Sequence, residues 1–195
     1  MKKIFIVLSV LLLAGCAENN ESMKRIIFLH HSTGYNIWLG KTNNYLYKIT
    51  RKGDVQKYFE RYNRKNGTAY QVVEQFFPKQ APYGWNNYPY DYYNIWVKNE
   101  GNTSYMEEAT LEMLTAEYDV IIFKHCFPVS NILEDTGKPD IESSVKSLEN
   151  FKLQYGALKE KMHEFPSCKF IVWTPAVNTQ NLLSEDQAIR TREFR

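Results

Sequence analysis

The chain of 195 residues carries 24 Lys and Arg against 22 Asp and Glu, is 44% hydrophobic and holds three cysteines. That is one domain's worth of sequence, able to bury roughly 70% of the surface its unfolded form exposes. The composition excludes a disordered tail, a collagen-like repeat, a disulfide-dense miniprotein and a multi-pass membrane protein, and a formal charge of +2 speaks against nucleic acid as a partner.

Met1-Lys2-Lys3 is a short cationic start, and Ile4 to Leu13 is an apolar run interrupted only by Ser9. The run is too short to span a bilayer, which takes about 20 residues, and it has the length of a secretory signal core. It ends in Leu13-Ala14-Gly15-Cys16, which resembles the lipobox of bacterial lipoproteins. That resemblance implies acylation of Cys16, removal of residues 1–15 and a polar tether over residues 16–23. It also implies a place in the bacterial cell envelope, lipid-anchored, at the outer membrane. Without Lys2 and Lys3 the mature chain balances 22 basic against 22 acidic side chains.

From residue 24 onward, apolar runs and amphipathic segments alternate. Arg25 to His30 is nearly continuously apolar, the pattern of a strand buried on both faces of a parallel sheet. Asp54 is placed to cap a helix bearing Val55, Tyr58, Phe59 and Tyr62 on one side and Lys57, Arg61 and Arg64 on the other, ending before Gly67. Its basic residues read as a solvated face. Ala69 to Phe77 predicts a second strand, closed by Pro78. Residues 79–102 show no helical or strand period. Ser104-x-x-Glu107 has the form of a capping box for a helix carrying Leu111 and Leu114. Tyr118 to Lys124 predicts a third strand. Val145, Leu148, Phe151, Tyr155, Leu158 and Met162 recur at helical spacing before Pro166, and Lys169 to Thr174 predicts a fourth strand. Ser184-x-x-Gln187 opens a last helix. Alternation of this kind predicts a doubly wound α/β domain with helices on both faces of a parallel sheet. Its active site is then expected beyond the C-terminal ends of the strands.

After the first strand stand His30-His31-Ser32-Thr33-Gly34. A serine at a strand-to-helix turn presents its hydroxyl as a nucleophile if a base reaches it, or else simply caps the helix. Successive strand residues point to opposite faces, so His30 and His31 do not chelate together. One is placed to be a base or oxyanion donor, the other a core histidine. The segment Phe28-Leu29-His30-His31-Ser32 resembles the start of the SGNH/GDSL hydrolases, whose first strand runs into Gly-Asp-Ser. The histidines at 30 and 31 depart from that pattern. The resemblance implies a flavodoxin-like fold over residues 24–195 and an esterase or acetyl-esterase acting on an acylated glycan or similar ester. It makes Ser32 the nucleophile, with Gly84 after the second strand and Asn131 after the third as oxyanion donors. The family's Asp-x-x-His base has no match here. His31 and His125 are the alternatives within the chain, and the domain is expected to continue beyond residue 195.

Two further features bear on function. Residues 83–96 hold seven aromatics in fourteen positions. Tyr83, Trp85, Tyr88, Tyr90 and Trp96 are accordingly candidates for a sugar-binding surface, in a hydrolase or in a non-catalytic glycan-binding lipoprotein. A self-packed loop is the other reading of the same segment. Cys126 follows one strand and Cys168 precedes another, opposite ends of a parallel sheet, so no disulfide is expected between them. No phosphate-binding loop, dinucleotide fingerprint or matched metal-ligand spacing appears, and neither cofactor nor metal is expected.

Overall fold

The computed structural model describes residues 23–79, 81–84, 86–175 and 178–194. The segment 1–15 read as a signal, Cys16 and Trp85 lie outside the described residues. Four parallel strands form the sheet: β1 (Lys24–His30), β2 (Tyr70–Phe76), β3 (Val120–Lys124) and β4 (Lys169–Trp173), in the order β2-β1-β3-β4. The register runs Ile26↔Val72 on one side of β1 and Ile27↔Ile121 on the other. This is the doubly wound, flavodoxin-like α/β arrangement that the alternation predicts.

Side-chain alternation along β1 separates two cores. Ile26 and Phe28 point to the face covered by α1 (Thr33–Leu39), α2 (Asn44–Thr50) and α3 (Asp54–Asn66), where they meet Trp38, Val55, Phe59 and Tyr47. Ile27 and Leu29, with Ile121 and Phe123, point to the other face. There they pack on α4 (Pro89–Tyr93), a π-helical turn (Asn94–Lys98), α5 (Leu111–Glu117) and α6 (Leu148–His163) through Tyr92, Ile95, Trp96, Leu111, Leu114 and Leu158. A smaller apolar cluster, Val129, Ile132 and Phe151, seats α7 (Glu185–Phe194) through Phe194. Edge strand β4 departs from the fully buried expectation: Ile171, Val172 and Trp173 are each more than a third exposed.

Several local expectations are revised. Asp54 is the first residue of α3 rather than its cap; Gly53 holds the cap position, with Gln56 Oε1 accepting from its N–H. Asp54 instead accepts from Lys41 N and Thr42 Oγ1 at 2.7 and 2.6 Å, tying down the loop before α2. Tyr58 and Tyr62 are exposed, so the apolar stripe of α3 narrows to Val55 and Phe59. The capping box expected at Ser104 and Glu107 is not formed. Residues 105–108 make a tight turn, Tyr105 and Glu108 exchanging backbone hydrogen bonds, and α5 begins after Thr110. The long helix starts after Ser147, whose side chain accepts from Asn150 N, and leaves Val145 outside. The box at Ser184 and Gln187 forms as expected, with reciprocal bonds of 3.2 Å.

α6 is also fixed by charge. Lys161, 6% exposed, reaches Glu100, Glu112 and Glu164 at 2.5 to 2.9 Å. Burial alone would lower its pKa, but the three carboxylates outweigh it and raise the value.

Candidate functional site

Ser32 stands at the strand end where this topology places sites. The chain leaves β1 toward β2 on one side and reaches β3 on the other, so the C-terminal end of β1 is the switch point of the sheet. Ser32 is exposed and has φ 41° and ψ −98°, a positive φ that a residue with a Cβ adopts only under strain. It caps α1 by position but makes no side-chain capping bond. The reading of Ser32 as a simple cap is therefore not what the structure shows. The turn closes tightly, Gly34 N donating to His31 O at 2.8 Å and Tyr35 N to Ser32 O at 2.9 Å. Gly34 is required there: a Cβ at that position would lie 2.3 Å from the His30 Cβ. α1 can approach the end of β1 only because that residue has no side chain.

The two adjacent histidines take different environments, as alternation demands. His30 is fully buried, with Nε2 3.1 Å from Glu74 Oε2 on β2 though not aligned as a hydrogen bond. Tyr47 donates to the other oxygen of Glu74 at 3.0 Å. His31 is 7% exposed and its Nε2–H donates to Pro78 O, pinning the turn after β1 to the loop after β2. Burial is the main influence holding the His31 pKa below its ordinary value, with the charges of His30 and Lys124 adding to it. It is therefore a neutral imidazole near neutral pH. With the proton on Nε2, its lone pair resides on Nδ1.

His125 is not placed as a base. It is fully buried, Nδ1–H donating to Asn87 O at 3.0 Å while Nε2 accepts from the Tyr155 hydroxyl. Burial pushes its pKa down to about 3, so it stays neutral and its accepting nitrogen is occupied. Sequence position alone suggested a loop residue; the structure makes it a core residue at the end of β3. Cys126 is buried beside it and Cys168 is partly buried at the opposite end of the sheet, both as free thiols.

Gly84 lies in the loop after β2 with φ 90°, and Asn131 follows a short 3₁₀ turn (Phe127–Ser130) after β3. Both are at the Ser32 end of the sheet. Asn131 is drawn toward β4, its Oδ1 accepting from Asn178 Nδ2 at 2.8 Å. Among the described residues no hydrogen bond links Gly84 or Asn131 to Ser32. An apolar cavity of about 450 Å³ opens farther along, at the C-terminal end of β4, lined among others by Phe151, Tyr155, Trp173 and Phe194. Ser32 does not line it.

The aromatic segment is mostly architecture. Trp96 is fully buried, donating from Nε1 to Ala109 O, and Tyr92 is fully buried between Phe77, Trp96 and Phe123. Trp96 is thus removed from the sugar-binding set: residues 89–98 coil as helix, and that coil turns its ring into the sheet. Tyr83 is partly buried and its hydroxyl accepts from Asn94 Nδ2 at 3.0 Å, while Tyr88 lies under the Lys146 ammonium. Tyr83, Tyr88 and Tyr90 keep partial exposure. Trp85 lies outside the described residues.

Asp91 is the price of this packing. It is 2% exposed and accepts from Tyr88 N at 2.8 Å. Burial, outweighing the hydrogen bonds from Tyr88, Tyr83 and Asn87, raises its pKa to about 6. A raised carboxyl pKa means that the folded state holds its proton where the unfolded state has lost it. Stability is then greatest below the unfolded value of about 4 and declines as pH rises through about 6. Asp91→Asn keeps the acceptor for Tyr88 N and removes that decline. Urea unfolding at pH 5 and pH 7 checks this: the difference between the two pH values is expected to shrink in the variant. An unchanged difference contradicts it.

Sequence reasoning assigned no role to four polar residues at this end of the sheet. Lys124, at the end of β3, is 2% exposed and its Nζ lies 2.8 Å from Thr33 Oγ1. Glu74 interrupts β2 and meets His30. Asn87, fully buried with φ 60°, donates to Phe77 O and Tyr92 Oη and accepts from Cys126 N. Glu108 is buried and accepts from Lys79 N at 2.5 Å. Only Lys124 and Glu74 carried a local signal, as charges inside predicted strands. Among the described residues no group of His, Cys, Asp and Glu is arranged to hold a metal ion. Comparison with protein-family models, with curated proteins and with solved structures finds no match to this chain.

Proposed function

We propose that this protein is a lipid-anchored serine hydrolase of the bacterial cell envelope, cleaving a carboxylic ester of a glycan or similar alcohol, with Ser32 as nucleophile. The observation that carries the reading is the backbone of Ser32: strained, exposed and placed at the switch point of the sheet. Strain at a residue whose side chain makes no capping bond is explained if the turn exists to present Oγ outward. In this reading Oγ attacks the acyl carbon, the alcohol leaves, and water then releases the acid from the acyl-serine. The proton acceptor within this chain is His31. Gly84 and Asn131, on the loops that follow β2 and β3, are the proposed oxyanion donors. The Leu13-Ala14-Gly15-Cys16 sequence supports the anchor, and the partly exposed Tyr83, Tyr88 and Tyr90 support an aromatic wall for a sugar alcohol.

The test is hydrolysis of a small aryl acetate by the full chain, together with labelling by a fluorophosphonate. Wild type is expected to turn over the ester and to take the label at Ser32. Turnover or labelling that survives Ser32→Ala contradicts the reading.

A further inference from the structure

Three strands bring polar side chains to one face of the sheet directly beneath the Ser32 turn. Glu74 of β2 and His30 of β1 occupy the α1 side, each pointing to the same face as Val72 and Phe28. Lys124 of β3 follows Val120 and Ile122 on that face, and the β1–β3 register, Phe28↔Ile122 and Leu29↔Phe123, sets it beside His30. Glu74 Oε1 accepts from Tyr47 and its Oε2 lies 3.1 Å from His30 Nε2. Among the described residues Lys124 makes no ion pair; its hydrogen bond goes to Thr33 Oγ1, the residue after Ser32.

An ammonium that is 98% buried without a carboxylate beside it opposes folding. A methionine would fill the same space without that penalty. The charge is therefore explained by something the turn needs. An ester under attack at Ser32 develops a negative oxygen, and a preorganised positive charge in a water-poor place stabilises it.

We propose that Lys124 is a positioning residue for Ser32, resting on the reading of Ser32 as nucleophile: its buried ammonium, bound to Thr33 Oγ1, fixes the strained turn and sets a positive charge beneath it. Because Nζ donates to Thr33 Oγ1, the threonine proton is directed elsewhere, away from the lysine. Loss of the Lys124 proton releases that arrangement and removes the charge. The titratable groups on the elements around Lys124 are His30 beside it on β1, Glu74 beyond His30 on β2, His31 at the end of β1, and His125 and Cys126 next in its own chain. His31 and His125 are held neutral by burial, and His30 sits against Glu74 on the side away from β3. Burial also draws the Lys124 pKa below the ordinary 10.5.

Two measurements on the full chain test this. In the first, the ¹⁵N resonance of the Lys124 side chain and the Thr33 γ-methyl resonance are followed against pH. Both are expected to shift with one common midpoint below 10.5; a Thr33 methyl that ignores Lys124 overturns the proposal whatever the enzyme does. In the second, aryl acetate hydrolysis is corrected for background and measured against pH. Wild-type kcat is expected to fall on the alkaline side with that same midpoint. Lys124→Arg should move the fall to higher pH, since a guanidinium keeps its proton. Lys124→Met, folded by circular dichroism, should lose about 100-fold in kcat with KM within about threefold, and show no alkaline fall. Wild-type kcat or a wild-type alkaline limb in Lys124→Met overturns the proposal. Hydrolysis that survives Ser32→Ala instead removes the hydrolase reading, and the resonance titration then decides the Lys124–Thr33 coupling by itself.

Discussion

Ser32→Gly is expected to make the protein more stable and inactive at once. At φ 41° and ψ −98° a serine is held outside the ordinary regions, at a cost of about 1–3 kcal/mol. Glycine relieves that strain and gives back roughly 0.5–1 kcal/mol through the greater freedom of its unfolded chain. The net expectation is a gain of about 1 kcal/mol, or about 2–4 °C in Tm for a chain of this size. Ser32→Ala keeps the Cβ and hence the strain, and because Ser32 makes no capping bond it should stay within about 0.5 kcal/mol of wild type. Both variants lack the hydroxyl and should lose at least about a thousandfold in ester turnover. The pair separates two explanations that either variant alone would confuse. A turn kept only for structure would give a stabilised glycine variant with unchanged hydrolysis. A glycine variant less stable than wild type would show that the positive φ is not a strain that the serine endures.

What could be read in the sequence depends on how local the governing force is. β1 and β3 were legible because strands covered on both faces must be continuously apolar. The doubly wound alternation followed from them, and with it the place of Ser32 beyond the C-terminal end of β1. The box at Ser184 and Gln187 was legible because its whole chemistry fits in four residues. The identical-looking pattern at Ser104 failed because a stronger arrangement competes for the chain. Glu108 is drawn inward by Lys79 N, Thr110 bonds Gly101 O at 2.5 Å, and Met106 and Glu107 are both left at positive φ. Neither is a residue that announces such a turn. The segment 83–96 was misread through an overlooked helical signal. Pro89 at the first position, Asp91 accepting from Tyr88 N, and Tyr92 and Trp96 four apart mark a helix face. Around Ser32 the charges of Glu74 and Lys124 were visible within strands, but their partners were not. The bond from Lys124 to Thr33 and the pairing of His30 with Glu74 join residues 91 and 44 apart in the chain, and only the register of the strands brings them together.

Asn87→Ala is expected to be the most damaging single change considered at this end of the sheet. Its amide joins three places that no backbone ladder connects. Nδ2 donates to Phe77 O at 2.7 Å, just past β2, and to Tyr92 Oη at 3.0 Å; Oδ1 accepts from Cys126 N at 2.6 Å, just past β3. β1 lies between those two strands, so Asn87 spans the loops on either side of the Ser32 turn. All the groups it satisfies are on buried residues, where water does not replace the amide. An orphaned buried donor or acceptor costs about 1–3 kcal/mol, and two or more are created, so a loss of about 3–5 kcal/mol is expected in urea unfolding. Asn87→Gly refines the measurement. Its backbone accepts φ 60° more easily than alanine's, so the glycine variant recovers up to about 1 kcal/mol of strain while losing the same hydrogen bonds. Both variants destabilised, with glycine the milder, assigns the cost to the amide. A loss below about 1 kcal/mol in both would mean the loops after β2 and β3 are held by their apolar contacts alone. His125 Nδ1 also donates to Asn87 O, a bond that raises the His125 pKa against the burial that lowers it. A backbone shift that breaks this bond should therefore leave the His125 ring neutral, its resonances moving no nearer the ordinary histidine range in whatever fraction of either variant remains folded.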